Sequence, residues 1–297
     1  MDGVCAVIVT HNRRELLGEA LGAVLGQTRP PDHVLVVDNA SDDGTSEMLR
    51  QEHPGVEVLR LDRNEGSAGG FHEGIARAHA AGHALIWVMD DDTVPTRGAL
   101  EALLDARRDG AGRDAALLVS KVVWSDGSLH PMNRPLLAWK QVDRLIRTAE
   151  SGSGLIPLRA ATFPSLLLDR RAIDVHHLPD KSYFLWSDDL EYTARILRHD
   201  PGFLVTSSVA LHKTPAPHTA LTSAGRRYYF HVRNTVYMLR GGAWDALEKV
   251  SLARNLLVSV GQYLRRERWR PRAFAVVGRG LRDGLVPPED PAGPYGD

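Results

Sequence analysis

Four short apolar runs recur through the first third of the chain, each stopped by polar residues, and no other feature limits the fold as much. Val4–Thr10 is the first, a β-branched run of the kind a strand needs when both its faces are covered. It breaks at His11-Asn12-Arg13, and Leu16, Leu17, Ala20, Leu21 and Val24 then repeat at helical spacing. His33–Asp38 reads as the second strand, 46–52 as a short helix, 56–61 as the third strand, 71–81 as a helix and 84–89 as the fourth strand. Such alternation predicts a mostly parallel central sheet with right-handed crossovers. The polar clusters at 10–13, 38–39, 64–70 and 90–92 then meet at one sheet edge, where open α/β sheets bind ligands.

Asp90-Asp91-Asp92 ends the fourth run, Trp87-Val88-Met89. Three adjacent carboxylates repel one another unless a cation binds between them. A helix N-cap needs one carboxylate rather than three. Their hard oxygens suit Mg²⁺ or Mn²⁺ shared with a diphosphate. His212, just past a later strand, would favour Mn²⁺ over Ca²⁺ as a further ligand, though a lone histidine is more often a surface or hydrogen-bonding residue. A second acidic cluster, Asp188-Asp189-x-Glu191, opens a predicted helix. Acids in a first turn complement the helix dipole, and adjacent carboxylates also raise one another toward the range a general base needs. Both readings stand, as they do for Trp186, which either stacks on a sugar or packs a core. Gly66-x-x-Gly69-Gly70 before a helix would let backbone N–H groups approach a phosphate, but it is not a dinucleotide fingerprint. No Walker lysine motif, zinc spacing or Gly-x-Ser-x-Gly elbow is present.

Beyond residue 97 the pattern loosens. Helices are expected over 98–108, 192–198, 226–240 and 244–265, with strands over 115–123, 161–168 and 203–211. Residues 125–154 read as a variable loop region. The chain is expected to divide into two halves of one α/β domain (1–122 and 123–225), a helical region (226–286) and a disordered tail (287–297). Arg265, Arg266, Arg268, Arg270 and Arg272 flank Trp269, which is either a solvated helix end or a contact with an anionic membrane surface. A net charge of −1 gives no overall field for nucleic acid. Cys5, the single cysteine, lies in an apolar strand and fits a buried thiol in a reducing compartment. With no signal-like leader and no run of about 18 apolar residues, the expectation is a cytoplasmic protein, peripheral at the inner face of the plasma membrane if the arginine patch meets lipid.

The ordered set Val7-Ile8-Val9-Thr10-His11-Asn12-Arg13, Val36-Val37-Asp38-Asn39-Ala40-Ser41-Asp42-Asp43-Gly44-Thr45 and Asp90-Asp91-Asp92 resembles the family 2 glycosyltransferases of GT-A fold. Asn64-x-Gly66-x-Ala68-Gly69-Gly70-Phe71, Trp186-Ser187-Asp188-Asp189-x-Glu191, Leu211-His212 and Tyr228-Tyr229-Phe230-x-x-Arg233-Asn234 resemble its galactofuranosyltransferase and rhamnosyltransferase branch of actinobacterial type. The resemblance implies a metal-dependent inverting transfer from a UDP- or dTDP-sugar to a glycan or lipid-linked cell-envelope acceptor. It implies Asp189 as the base that deprotonates the acceptor hydroxyl, with Trp186, Asp188 and Glu191 around the acceptor. Thr10, His11, Arg13, Asp38, Asn64, Gly69, Gly70, Asp90, Asp91 and Arg233 would bind the donor. Asp90, Asp92 and His212 would hold Mn²⁺ or Mg²⁺. A sugar-1-phosphate nucleotidyltransferase and a silent nucleotide-sugar-binding module are the alternatives. The first usually carries a glycine-rich, basic loop after the first strand, where this chain has Thr10-His11-Asn12-Arg13.

Overall fold

The computed structural model describes residues 3–108, 110–138, 152, 154–216 and 225–296. The first run forms β1 (Val4–Thr10), and α1 (Arg14–Leu25), β2 (His33–Asp38), α2 (Thr45–Glu52), β3 (Glu57–Arg60), α3 (Gly66–Ala80) and β4 (Leu85–Asp90) follow. These strands lie in the order β3-β2-β1-β4 and all pair in parallel. Every residue of β1 is buried because helices cover both faces. Val7, Val9 and Val37 meet Phe71 and Ile75 of α3 on one side. Ala6, Ile8 and Val36 meet Leu17 and Leu21 of α1 on the other. Register brings the strand ends level, with Thr10 opposite Asp38 and Val9 opposite Asp90. The expected convergence of polar clusters at one edge is therefore present.

The second part adds β5 (Thr93–Pro95), α4 (Ala99–Arg108), β6 (Leu117–Val123), β7 (Leu136–Leu137), β8 (Leu155–Ala160), β9 (Leu166–Asp169), α5 (Arg170–His176), α6 (Asp188–Ile196) and β10 (Gly202–His212). β9 runs antiparallel between β4 and β6, and β6 pairs in parallel with β10, so one mixed sheet crosses the boundary expected at 122/123. Of the strand expected over 161–168 only the end forms, as β9, while β8 lies before that range and elsewhere in the sheet. Pro164 lacks an N–H for a ladder and Ser165 takes φ +57°, so the run bends there. Leu136 and Leu137, in the region read as loop, pair with β8; residues 139–151 and 153 of that region lie outside the described residues.

The C-terminal part is helical, with α7 (Tyr228–Arg240), α8 (Ala246–Arg266) and α9 (Pro271–Leu285). α9, unresolved as a helix by the sequence pattern, lies close along α7: a Cβ on Gly284 would stand 2.5 Å from that of Val236, and one on Gly280 would stand 2.8 Å from that of Val232. The tail expected to be disordered is docked. Tyr295 sets its ring edge-on to Tyr229 with centroids 5.2 Å apart, and Pro291 offers its carbonyl to Arg233. No helix among the described residues is long and apolar enough to cross a membrane.

Candidate active site

The edge where β4 ends is the start of the site. Past Asp90 the chain turns through Asp91 and Asp92 into β5, whose Thr93 pairs with His212 at the end of β10. That pairing joins residues far apart in sequence, and possible ligand atoms of Asp90, Asp92 and His212 lie within 4.8 Å of one another. His212 Nε2 is 3.0 Å from Asp92 Oδ1. The Nδ1 of the same ring is 2.7 Å from Asn133 Oδ1, an acceptor, so Nδ1 carries the proton and the Nε2 lone pair of the neutral ring faces the carboxylate. Asp92 Oδ1 is buried without a hydrogen bond. Two lone pairs turned on each other require a proton or a cation. Burial works against the imidazolium, but Asp92 and Asp90 outweigh it and raise the His212 pKa. Two carboxylates and an imidazole oriented by an amide from behind therefore fit Mn²⁺ or Mg²⁺.

The three acids of the triplet divide. Asp90 and Asp92 line a cleft of about 530 Å³, and Asp91 does not. Asp91 is turned inward, accepting from Thr10 Oγ1 at 2.8 Å and from Arg13 Nη1 at 3.2 Å. Arg13 reaches on to Asp92 Oδ2 at 2.7 Å and stands in the cleft wall. Thr10 and Asp91 are thus supports for Arg13 and Asp92 rather than cleft-facing donor ligands.

Across the cleft stand Trp186, Asp188 and Asp189, at the start of α6. Burial pushes the Asp189 carboxyl up to about 6 against the hydrogen bond it accepts from Leu190 N at 2.7 Å. Burial and then Asp189 itself push Asp188 well up. The charge of Asp189 also raises Asp90, after burial, Asp92 and Asp91, so the two acidic clusters share one field. Phe184, Trp186 and Ser187, just before α6, have φ of +58°, +65° and +68°, a costly conformation for non-glycine residues.

Arg233 and Asn234 hold that loop. Asn234 Nδ2 faces the carbonyls of Tyr183, Leu185 and Trp186 at 2.7–2.9 Å. Arg233 donates to the Tyr183 carbonyl at 2.6 Å and to the Ser182 carbonyl at 3.1 Å, with no exposed surface of its own. This corrects the expectation that Arg233 meets the donor: its donors are spent on backbone carbonyls outside the cleft wall. The glycines are needed for close packing. Gly66 has φ +71°, and a Cβ there would lie 2.0 Å from the Phe184 carbonyl oxygen. A Cβ on Gly70 would strike Val9 Cγ1 at 2.4 Å, and one on Gly69 would strike Glu65, so both serve packing around α3. Asn64 Oδ1 caps that turn through Gly66 N and Asn39 Nδ2. Glu191 pairs with Arg195 at 3.0 Å, away from the cleft.

His11 and Asp38 stay at the sheet edge beside the cleft. His11 Nδ1 bonds the Asn39 carbonyl at 2.8 Å. Asp38 is fully buried, with Oδ1 taken by Ser41 N at 2.8 Å and Oδ2 by Ser46 Oγ at 2.6 Å and Arg60 Nη1 at 2.5 Å. Those bonds outweigh burial and hold its carboxyl below the usual range. Three features had escaped the sequence reading. Asn133 lies in the aperiodic region. His231, Thr235 and Met238 form one face of α7 in the cleft wall, detectable only as an i, i+4, i+7 stripe. Leu252, Asn255, Leu256 and Ser259 of α8 close the far side. Burial holds the His231 imidazole neutral, lowered to about 4, with Nε2 3.1 Å from Ser259 Oγ.

The family model described as Glycosyl transferase family 2 matches residues 5–172. The chain belongs to glycosyl transferase family 2. The family match takes in Asp38, Asp90 and Asp92 and stops short of Asp189 and His212, so those two rest on geometry. Galactofuranosyltransferase GlfT1 of Mycolicibacterium smegmatis is 35% identical over 198 residues, 66% of this chain and 65% of the relative; the match thus spans just under two thirds of that protein. An N-acetylglucosaminyl-diphospho-decaprenol L-rhamnosyltransferase of Mycobacterium tuberculosis is 26% identical over 94% of this chain and 99% of its own. Among solved structures, S. aureus TarS 1-349 in complex with UDP-GlcNAc superposes with a TM-score of 0.64 at 13% identity, covering 95% of this chain and 80% of that one. GalNAc-T7 with UDP, GalNAc and Mn²⁺ gives 0.56 at 15% identity, covering 86% and 54%. This family 2 chain therefore has the GT-A fold.

Proposed function

We propose that this glycosyltransferase moves a sugar, with inversion, from a UDP- or dTDP-sugar to a hydroxyl of a lipid-linked cell-envelope glycan, with galactofuranose or rhamnose as the favoured sugars. One observation carries the reading: a metal-competent cluster and an acid pair with a raised carboxyl stand on facing walls of one cleft. The names of the relatives support the choice of sugar, and the diphospho-decaprenol in one of them supports a lipid carrier at a membrane face.

Asp90, Asp92 and His212 would hold Mn²⁺ or Mg²⁺, which when bound supplies positive charge to the departing nucleoside diphosphate. The remaining work falls to side chains of this chain. Burial and then the neighbouring Asp189 push the Asp188 carboxyl well above the usual carboxylate range, which disfavours a second charge beside the base. Asp189 takes the acceptor hydroxyl proton as that oxygen bonds to the anomeric carbon and the bond to the diphosphate oxygen breaks. The anomeric carbon passes through oxocarbenium-like character, as in glycoside hydrolysis. Trp186 offers the acceptor sugar an apolar face. Arg13 holds Asp92 in place at 2.7 Å.

The test is release of UDP or dTDP from a panel of nucleotide-sugars with and without Mn²⁺. Metal-dependent release that Asp92→Ala abolishes is the expected result; release that persists unchanged in Asp92→Ala sinks the assignment.

A further inference from the structure

α8 has two working sides. Its inner side carries Leu252, Asn255, Leu256 and Ser259 into the cleft wall. Its outer side should be polar in a helix that faces water, yet it exposes Leu247, Val250, Leu257 and Val258, spaced for a single stripe. At the end of α8 the chain turns through Arg268 and Trp269, both in the left-handed region with φ +53° and +56°. That turn leaves Trp269 58% exposed and Phe274 49% exposed, with ring centroids 6.2 Å apart. Arg265, Arg266, Arg268, Arg270 and Arg272 surround them, all on the surface.

Charge is concentrated here. Residues 246–286 hold nine Lys and Arg against three Asp and Glu, a net +6 in a chain whose total is −1. Of the three acids only Glu267, paired with Arg272, takes charge from the patch around Trp269. Glu248 is held by Arg159 at 2.7 Å, Glu267 by Arg272 at 3.3 Å, and Asp283 is buried against Tyr229 and Arg282.

We propose that the α8–α9 hairpin seats the enzyme on an anionic bilayer, with Trp269 and Phe274 entering the interface and the surrounding arginines meeting lipid phosphates. Aromatic anchors ringed by basic residues match that boundary in both polarity and sign. A second copy does not match, since an isologous contact would set this positive patch against itself. Ser259 of the cleft wall lies six residues before Arg265, about 9 Å along the helix axis, so a lipid-linked acceptor would reach the cleft from the surface that holds the enzyme. That last step rests on the proposed acceptor; the docking does not.

The experiment is co-sedimentation of the full chain with vesicles of phosphatidylcholine alone and with about 30% phosphatidylglycerol added. Wild type should bind the anionic vesicles and not the neutral ones. The expected loss is at least about tenfold in Trp269→Ala/Phe274→Ala, in Arg265→Glu/Arg268→Glu/Arg270→Glu and at high salt. Metal-dependent UDP release in free solution should stay unchanged in both variants, showing an intact fold. No binding to anionic vesicles, equal binding to neutral ones, or binding that survives both sets of substitutions overturns the proposal. Self-association in light scattering that the same substitutions abolish, without vesicle binding, overturns it in favour of a second copy. Vesicle binding without turnover of any donor would instead count against the proposed reaction.

Discussion

Burial raises the Asp189 carboxyl to about 6, which leaves it charged at neutral pH and still basic enough to take a proton. A base works only when deprotonated, so kcat/KM should climb as pH rises through about 6 and level off above it. Asp189→Asn should lower kcat by about 10²–10⁴-fold while a thermal-shift assay still detects donor and metal. A substitution that leaves kcat within a few-fold would remove Asp189 from the proton transfer. On the opposite wall the decisive residue is one step behind the Asp90, Asp92 and His212 group. Asn133 Oδ1 accepts a hydrogen bond from His212 Nδ1–H and so points Nε2 at Asp92. Asn133→Ala should weaken Mn²⁺ binding about 10–100-fold in calorimetry without unfolding the protein. Unchanged affinity would mean that the ring is oriented without the amide.

The loop before α6 is the element that makes the site, and it is held by strain on one side and clamps on the other. Left-handed backbone at Phe184, Trp186 and Ser187 costs about 1–2 kcal/mol per residue, and Asn234 and Arg233 offset it by binding the loop's carbonyls. Asn234→Ala leaves buried carbonyls unpaired, at about 1–3 kcal/mol, and frees Trp186 and Asp189 from their positions. The expected outcome is a lower denaturation midpoint together with a fall in kcat larger than the change in donor affinity. A fall in stability alone would make the clamp purely structural. Gly66 is the matching contact from α3. Its φ of +71° and the 2.0 Å approach of a Cβ to the Phe184 oxygen leave no place for Gly66→Ala without moving the loop, so that variant should lose kcat in the same pattern. The sequence shows the Asn-x-Gly and Arg-Asn pairs plainly, but not that both serve one loop.

At the scale of the whole molecule the sheet fixes the distance between the acid pair and the Asp90, Asp92 and His212 group, and ligands that bind there should stabilise the fold. A nucleotide-sugar at about 100 times its Kd is worth about 2.7 kcal/mol, so melting temperature should rise with donor plus Mn²⁺ and return with a chelator, which should also abolish turnover. Absence of a metal-dependent rise would argue against Asp90, Asp92 and His212 as ligands. The chain's own order determined much of this. Apolar runs that stop at Thr10, Asp38 and Asp90 encode parallel strands, because a strand covered on both faces must be apolar throughout and can turn polar only where it leaves the sheet. Asp90 and Asp92 were legible for the same reason, whereas Asp189 stood out only as one of an acid pair opening a predicted helix. Tertiary structure alone decided which residues joined them. The antiparallel insertion of β9 and the pairing of Thr93 with His212 set partners by sheet order, which local periodicity does not carry. Asn133 came to His212 from an aperiodic segment, and Asp91 was turned away from its two neighbours by Thr10. Arg233 was taken inside, where its guanidinium satisfies carbonyls of the strained loop that would otherwise be buried unpaired.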